Sequence, residues 1–386
     1  MIDLYISAGL RIQRLPALGP GGRGNRYMSN SAPRRRLLLS IVIAVSIHAA
    51  TSALADSTCG PAVELLDSRS NGYNYGYAPA IVRQGKDYHL FYCSPGAPGI
   101  SWDVVRYSSS SDGRTWTKPT VALSVTSKYR ERAACDPSVV RYSGPDDANP
   151  FYYLFYTGAP INIQGSMYVA RSEDIGGPYL KLNNDGRWIA DAPNPKVILS
   201  PRQPKPENSG WYGAGQQSVL VKDGKLYSWY TDQTLCTVPC NRILFSATKN
   251  PATWPQGIPT NVADASIDVK YDVQRRHFVM FSIRPVQSGG IDPGAVELRV
   301  RTSDDGISWT DPVTLCAAGV LPRWSHNPGV SADVEGHLIG DSAMVSYGAP
   351  YGLSPEYNYD CKLGTRPYCR GFWDLYSNPI TTGGKE

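Results

Sequence analysis

Short apolar runs broken by polar turn residues recur along the chain, and no long stretch keeps a helical period free of glycine or proline. That pattern predicts β-strands throughout. A unit of strand, tight turn and aromatic strand repeats. Its first copy is Tyr77-Ala78-Pro79-Ala80-Ile81-Val82, the turn Gln84-Gly85-Lys86, then Tyr88-His89-Leu90-Phe91-Tyr92. The second begins at Cys135-Asp136-Pro137-Ser138-Val139-Val140 and returns through Phe151-Tyr152-Tyr153-Leu154-Phe155-Tyr156. The others begin at Gly215-Gln216-Gln217, Ala265-Ser266-Ile267-Asp268 and Asn327-Pro328-Gly329-Val330, the last preceded by His326. Proline fixes its own φ and disfavours the α region in the residue before it, so Asp136 is expected to be extended.

A third strand follows in several copies: 104–110, 167–172, 242–248 and 296–302. Two of these lead into the same turn, Ser110-Ser111-Asp112-Gly113-Arg114-Thr115-Trp116 and Ser303-Asp304-Asp305-Gly306-Ile307-Ser308-Trp309. The aspartate accepts backbone N–H groups there, glycine takes the positive φ and tryptophan packs between strands. Five copies of about four strands predict an all-β fold, a five-bladed β-propeller of mostly four-stranded antiparallel blades. A sandwich or β-helix does not explain such repeated units. The 357–380 segment is expected to return and close the ring, or to staple it through Cys361 and Cys369.

Composition changes the picture at the N-terminus. Arg34-Arg35-Arg36, the apolar run 37–47 and Ala53-Leu54-Ala55 read as a signal peptide, with 1–55 removed and 56–386 forming one propeller domain. The run is too short to span a bilayer, and no later one is long enough, so no membrane anchor is expected after cleavage. The first 55 residues hold seven arginines and one aspartate, so the formal charge falls from +5 to −1 without them. That near-neutral balance carries no electrostatic footprint for nucleic acid. All eight cysteines follow the cleavage site, which favours disulfides and a secreted or periplasmic location. Cys236 with Cys240 and Cys361 with Cys369 are the expected local pairs. Half a zinc site at Cys236–Cys240 has no second ligand pair to complete it.

The two repeated turns resemble the Asp-box of sialidases and other propellers, where the motif is structural. The order of repeats resembles the five-bladed propeller glycosidases, family 43 glycoside hydrolases above all. Asp136-Pro137-Ser138-Val139 is similar to that family's second-blade aspartate motif, and Arg171-Ser172-Glu173-Asp174-Ile175 with Gly177-Pro178-Tyr179 is similar to its strand-to-turn element. The resemblance covers most of the chain after residue 55. It implies a pocket on the propeller axis for an oligo- or polysaccharide, with three acids at the inner-strand starts. One carboxylate activates water, one protonates the leaving oxygen and one tunes its partners. This chain matches only the tuning member, Asp136. The first-blade position reads Tyr77-Ala78-Pro79 and the third reads Gly215-Gln216-Gln217, where amides stand for the acid. An amide binds a sugar hydroxyl but cannot deliver a proton as a carboxylic acid does.

Candidate catalytic groups are therefore Asp136 and Asp268, the latter equally suited to a structural hydrogen-bonding role. Candidate ligand-binding residues are Gln216, Gln217, His326 and the aromatics Tyr77, Trp211 and Trp324, which precede inner strands and suit sugar faces. Among other acids, Asp103 and Asp232 read as solvated loop residues and Glu131 as a surface ion pair. Oxygen donors at strand starts also suit a structural calcium in the axial channel; no other cofactor is expected. Three functions stay open: a glycoside hydrolase with non-standard partners, a glycan-binding propeller without catalysis, and a sialidase-like enzyme.

Overall fold

The computed structural model describes residues 59–67, 75–96, 103–126, 131, 133–159, 164–206, 209, 211–237, 241–264, 266–286, 294–350 and 373–381. The leader-like residues 1–55, Cys240, Cys361 and Cys369 lie outside them. The described chain is a five-bladed β-propeller with one short 3-10 turn, Gln233–Leu235.

Blade one contains β2 (Tyr77–Gln84), β3 (Asp87–Pro95), β4 (Asp103–Ser110) and β5 (Thr120–Leu123). Blade two has five strands: β6 (Ala134–Tyr142), β7 (Phe151–Gly158), β8 (Ser166–Ser172), β9 (Leu180–Leu182) and β10 (Trp188–Ile189). Blade three runs β11 (Ala214–Lys222), β12 (Lys225–Asp232), β13 (Arg242–Thr248), β14 (Ile258–Pro259). Blade four runs β15 (Ile267–Asp272), β16 (His277–Pro285), β17 (Val296–Ser303), β18 (Val313–Cys316). Blade five takes β19 (His326–Val330), β20 (Ser342–Pro350) and β21 (Trp373–Thr381) from the C-terminal end, and β1 (Val63–Leu66) as its outer strand.

The ring is thus closed by strands from both ends of the described chain. Val63 pairs with Ser377 and Glu64 with Tyr376. The C-terminal return expected from sequence is β21, and its N-terminal partner β1 carries no repeat signature. Each blade keeps only a short outer edge strand, which limits edge-to-edge pairing.

The core is five apolar layers, each shared by two neighbouring blades. Val140 and Phe155 of blade two meet Val219 and Tyr230 of blade three. Trp229 of blade three meets Val269 and Phe278 of blade four. Phe281 meets Tyr347, Val82 meets Val139, and Ile81 meets Leu375. Alternation within each strand thus serves both neighbours, which is why the runs look almost wholly apolar.

The repeated turns behave as read. Asp305 Oδ1 accepts the N–H groups of Ile307 and Ser308 at 2.8 and 2.7 Å, and Asp112 Oδ1 accepts those of Arg114 and Thr115 at 2.8 and 2.7 Å. Those donors hold the Asp305 carboxyl down at about 2. Neither turn lies on the axial pocket.

Two long-range disulfides appear among the described residues, while Cys240, Cys361 and Cys369 of the expected local pairs lie outside them. Cys59 bonds to Cys316, tying the residue just before β1 to the outer strand of blade four, and Cys93 bonds to Cys135 between blades one and two. Cys236 is also disulfide-bonded. Sequence spacing reports loop size, whereas these pairs follow blade adjacency that only the closed ring creates.

At the far end of the axis, residues 331–337 cross the channel. Their carbonyls accept one N–H from the end of every other inner strand. Arg83 donates to Ala332 at 2.6 Å, Arg141 to Val334 at 2.6 Å, Val221 to Glu335 at 2.8 Å and Tyr271 to Gly336 at 3.1 Å. This segment ties four inner strands together at that end, opposite the inner-strand starts.

Candidate functional site

The mouth at the inner-strand starts is built by backbone strain repeated once per blade. Ala78, Asp136, Gln216, Ser266 and Asn327 have φ of +47°, +49°, +51°, +51° and +53°. Each lies within three residues of the start of an inner strand. In four blades the register slips there, between Tyr77 and Ala80, Cys135 and Ser138, Gly215 and Ser218, and His326 and Gly329. Such bulges re-aim side chains and occur beside functional sites. A left-handed non-glycine residue costs about 1–2 kcal/mol, so five at equivalent positions concentrate backbone strain at this end of the axis. Asp136 is therefore left-handed rather than extended; the bulge outweighs the preference imposed by Pro137.

All five residues are buried and line one axial cavity. Its free volume, about 50 Å³, holds only a few waters at about 10–15 Å³ each, so a sugar ring must sit at the mouth rather than inside. Among the described residues, Asp136 is the one carboxylate in this ring of five.

Asp136 is held by blades one, two and three. Its Oδ2 accepts a hydrogen bond from the Tyr212 hydroxyl at 2.5 Å. Thr157 and the Gln216 N–H also support the carboxylate. Its backbone N–H donates to the Cys93 sulfur at 3.0 Å, and its carbonyl accepts from Gln217 Nε2. The Thr157 hydroxyl donates to Gln217 Oε1 at 3.3 Å and accepts from the Gln216 N–H at 3.0 Å. Gly215 makes this packing fit. A Cβ there would lie 2.4 Å from Thr157 Oγ1 and 2.8 Å from the Tyr212 hydroxyl. Burial raises the Asp136 carboxyl above its ordinary value, against the pull of Tyr212, Thr157 and the Gln216 N–H. Tyr212 is driven well above the ordinary phenol range by burial and then by the Asp136 charge.

Tyr77 reaches the same mouth. Burial, and then Asp136, raise its phenol, while the side chains of Asn327 and Gln216 hydrogen-bond to it. Its ring lies 4.8 Å from that of His326 and 6.3 Å from that of Trp373, and His326 and Trp373 are 4.3 Å apart. Burial lowers His326 to about 4, so its imidazole is neutral near pH 7. Trp211 and Trp324 are partly buried; Lys205 Nζ lies 4.9 Å from the Trp211 ring centroid, and Trp324 adopts a φ of +63°.

Asp268 sits two residues beyond Ser266, on the channel wall. Its Oδ1 accepts from Ser218 Oγ at 2.7 Å and Lys270 Nζ at 2.8 Å, and its Oδ2 from the Val330 N–H at 2.6 Å. Both oxygens join inner strands of blades three, four and five. A calcium cage needs about six to eight oxygen ligands. At this depth the carboxylate is already engaged and Lys270 brings an ammonium to the wall, so the donors do not fit that ion.

The remaining acids differ from the sequence reading. Glu131 is 1% exposed, not a surface residue. It pairs with the equally buried Lys181 and accepts from Thr126 Oγ1 at 2.8 Å. Asp232 is fully buried and holds a turn, accepting from the Arg202 and Thr234 N–H groups at 2.9 and 2.8 Å. Asp103 is the first residue of β4 and half-buried. Charge between arginines and position after a strand both suggested solvent, but neighbouring blades cover these sites. Sequence reasoning missed Ser266 and Asn327 as ring members and Tyr212 and Thr157 as partners of Asp136. Asn327-Pro328 repeats the Asp136-Pro137 pattern and was the one available signal; the partnership of Tyr212 crosses 76 residues.

No protein-family model matches the chain, and no curated protein does. Solved structures do match. The catalytic domain of a Coprinopsis cinerea family 62 α-L-arabinofuranosidase aligns at TM-score 0.56 and 14% identity, over 86% of this chain and 98% of its own. Zg3597, a family 117 glycoside hydrolase of the marine bacterium Zobellia galactanivorans, aligns at TM-score 0.55 and 11% identity, over 85% and 91%. An N-acetylgalactosamine deacetylase from F. plautii, solved with blood group B trisaccharide, aligns at 0.54 and 16%, over 84% and 95%. Hydrolases and a deacetylase share this architecture, so the fold alone leaves the reaction open. The chain has a five-bladed β-propeller fold, shared with these glycoside hydrolases and the deacetylase.

Proposed function

We propose that this protein is an exported glycan-binding propeller whose axial mouth recognises a sugar and does not cleave it by the two-carboxylate route. One observation carries the reading: five strained, equivalent positions line the mouth, and among the described residues only Asp136 brings a carboxylate. Hydrolysis of a glycosidic bond uses two carboxyl groups, about 6.5–9.5 Å apart in inverting enzymes and about 5–5.5 Å apart in retaining ones. Asp268 is a poor second acid, because its oxygens are bonded to Ser218, Lys270 and Val330. Gln216 and Asn327 supply neutral donors and acceptors for sugar hydroxyls, and Tyr77, Trp211 and Trp324 supply faces for sugar rings. The disulfides Cys59–Cys316 and Cys93–Cys135 support export to an oxidising compartment.

The test pairs two readouts on a panel of plant and microbial oligosaccharides: calorimetric binding and release of reducing ends. Saturable binding, weakened in Asp136→Asn, with no reducing ends above background is the expected result. Turnover that Asp136→Asn abolishes would make the protein a hydrolase, with Asp136 in its mechanism.

A further inference from the structure

Among the described residues, the ring is rich in acceptors and poor in cations. Among them, the Asp136 carboxylate accepts from the Tyr212 hydroxyl, and no lysine, arginine or histidine bonds to it. Deeper in the cavity, Lys270 is bonded to Asp268, and Asp333 Oδ1 is engaged by the Glu335 and His337 N–H groups. The lining therefore carries three aspartates against one lysine. A second, independent feature points the same way. Asn327 is 6% exposed and lines the cavity, and its buried Oδ1 has no hydrogen-bond partner. An unpaired buried acceptor costs about 1–3 kcal/mol, and a buried uncompensated carboxylate several more.

Ligand groups can complete this arrangement to different extents. A neutral hydroxyl would satisfy the Asn327 oxygen and leave the Asp136 charge uncompensated. An N-acetyl group carries one donor and adds an acceptor of its own. An ammonium has three donors, no acceptor and the missing charge. Resting on the glycan-binding reading above, we propose that the mouth selects a sugar bearing a free amine, with Asp136 and Asn327 receiving its ammonium. Tyr77 and Tyr212, the two phenols flanking Asp136, stay neutral and bring no charge of their own.

Three trimers that differ only at C2 test this: the glucosamine trimer, the N-acetylglucosamine trimer and cellotriose, titrated calorimetrically into the full chain near neutral pH. The glucosamine trimer should bind at least about tenfold tighter than cellotriose, equivalent to about 1.4 kcal/mol. Asp136→Asn should erase the preference, so that all three bind weakly and alike. Asn327→Asp, which adds a carboxylate at the other acceptor, should widen it. Calcium chloride titrated alone should give no heat that depends on Asp136. Equal affinities, or tighter binding of cellotriose or the acetylated trimer, would overturn the amine assignment and leave glycan binding standing. An Asp136-dependent calcium signal would reassign the acceptors to a metal ion and also overturn it. Silence from these trimers and from the whole oligosaccharide panel would remove both readings.

Discussion

The two ends of the axial channel are built on opposite principles. At the closed end, carbonyls of residues 332–336 accept one N–H from each of four inner strands, so the bonds use main-chain atoms alone. At the mouth, five residues share a left-handed backbone, yet their side chains are all different: Ala78, Asp136, Gln216, Ser266 and Asn327. One end is backbone chemistry that secures the ring. The other is a common scaffold presenting chosen side chains. The closed end should therefore respond to changes in backbone and space, and the mouth to changes in functional groups.

The largest effect is expected at the closed end. Gly336 has a φ of +85°, and a Cβ there would lie 2.7 Å from Leu220 Cβ. Gly336→Ala should lower stability by about 3 kcal/mol, from backbone strain and overpacking together, without altering which sugar is preferred. Denaturant titration and sugar calorimetry on the same variant separate the two. A changed preference with unchanged stability would break the division of labour.

Tyr212→Phe comes next. It removes the 2.5 Å hydrogen bond to Asp136, and bonds to charged groups contribute about 1.5–3 kcal/mol. It should also push the Asp136 carboxyl further up. A ligand that needs the carboxylate ionised would then require higher pH, so the midpoint of the binding–pH curve should rise relative to wild type. A purely structural role would leave that midpoint unmoved.

Asp136→Asn should act in the opposite sense on stability. The folded state raises this carboxyl, so the native protein holds its proton more tightly than the unfolded chain does. Its contribution is present below the unfolded value and is lost as pH rises through the raised folded value. At neutral pH the asparagine variant should therefore be more stable, by about 1 kcal/mol on the scale of ordinary stabilising substitutions, while binding sugar less well. Thermal melts at several pH values check the sign.

The smallest effect is expected away from the axis. Asp305 is held down at about 2, so its contribution is present above the ordinary carboxylate range and is lost as pH falls toward 2. Asp305→Ala should lower the melting midpoint by no more than about 4 °C and leave sugar affinity unchanged. The two aspartates thus respond to acid in opposite directions, which melts of both variants at pH 3 and pH 7 would reveal.

How much of this could be read from sequence follows the same division. Strand–turn–aromatic repeats and the Asp-box turns are local patterns, so blades and inner-strand starts were legible, as were the mouth residues Asp136 and Gln216. The closing strand Val63–Leu66 was not, because it belongs to a blade whose other strands lie more than 250 residues away. The closed end was invisible because carbonyl-to-amide bonds leave no mark on residue type. Glu131 and Asp232 were misread because their burial is conferred by other parts of the ring. Cys93–Cys135 and Cys59–Cys316 escaped because blade adjacency, not loop length, decides those pairs.

The central claim is that a single carboxylate serves the mouth. A crystal structure of the full chain with a bound oligosaccharide tests it most directly. The account predicts a sugar at the mouth in contact with Asp136 and Asn327, and no second carboxyl group within about 9.5 Å of the Asp136 carboxylate on the other side of the glycosidic oxygen. A second carboxylate facing Asp136 across that oxygen, about 5–9.5 Å away, would contradict it and identify a working acid pair.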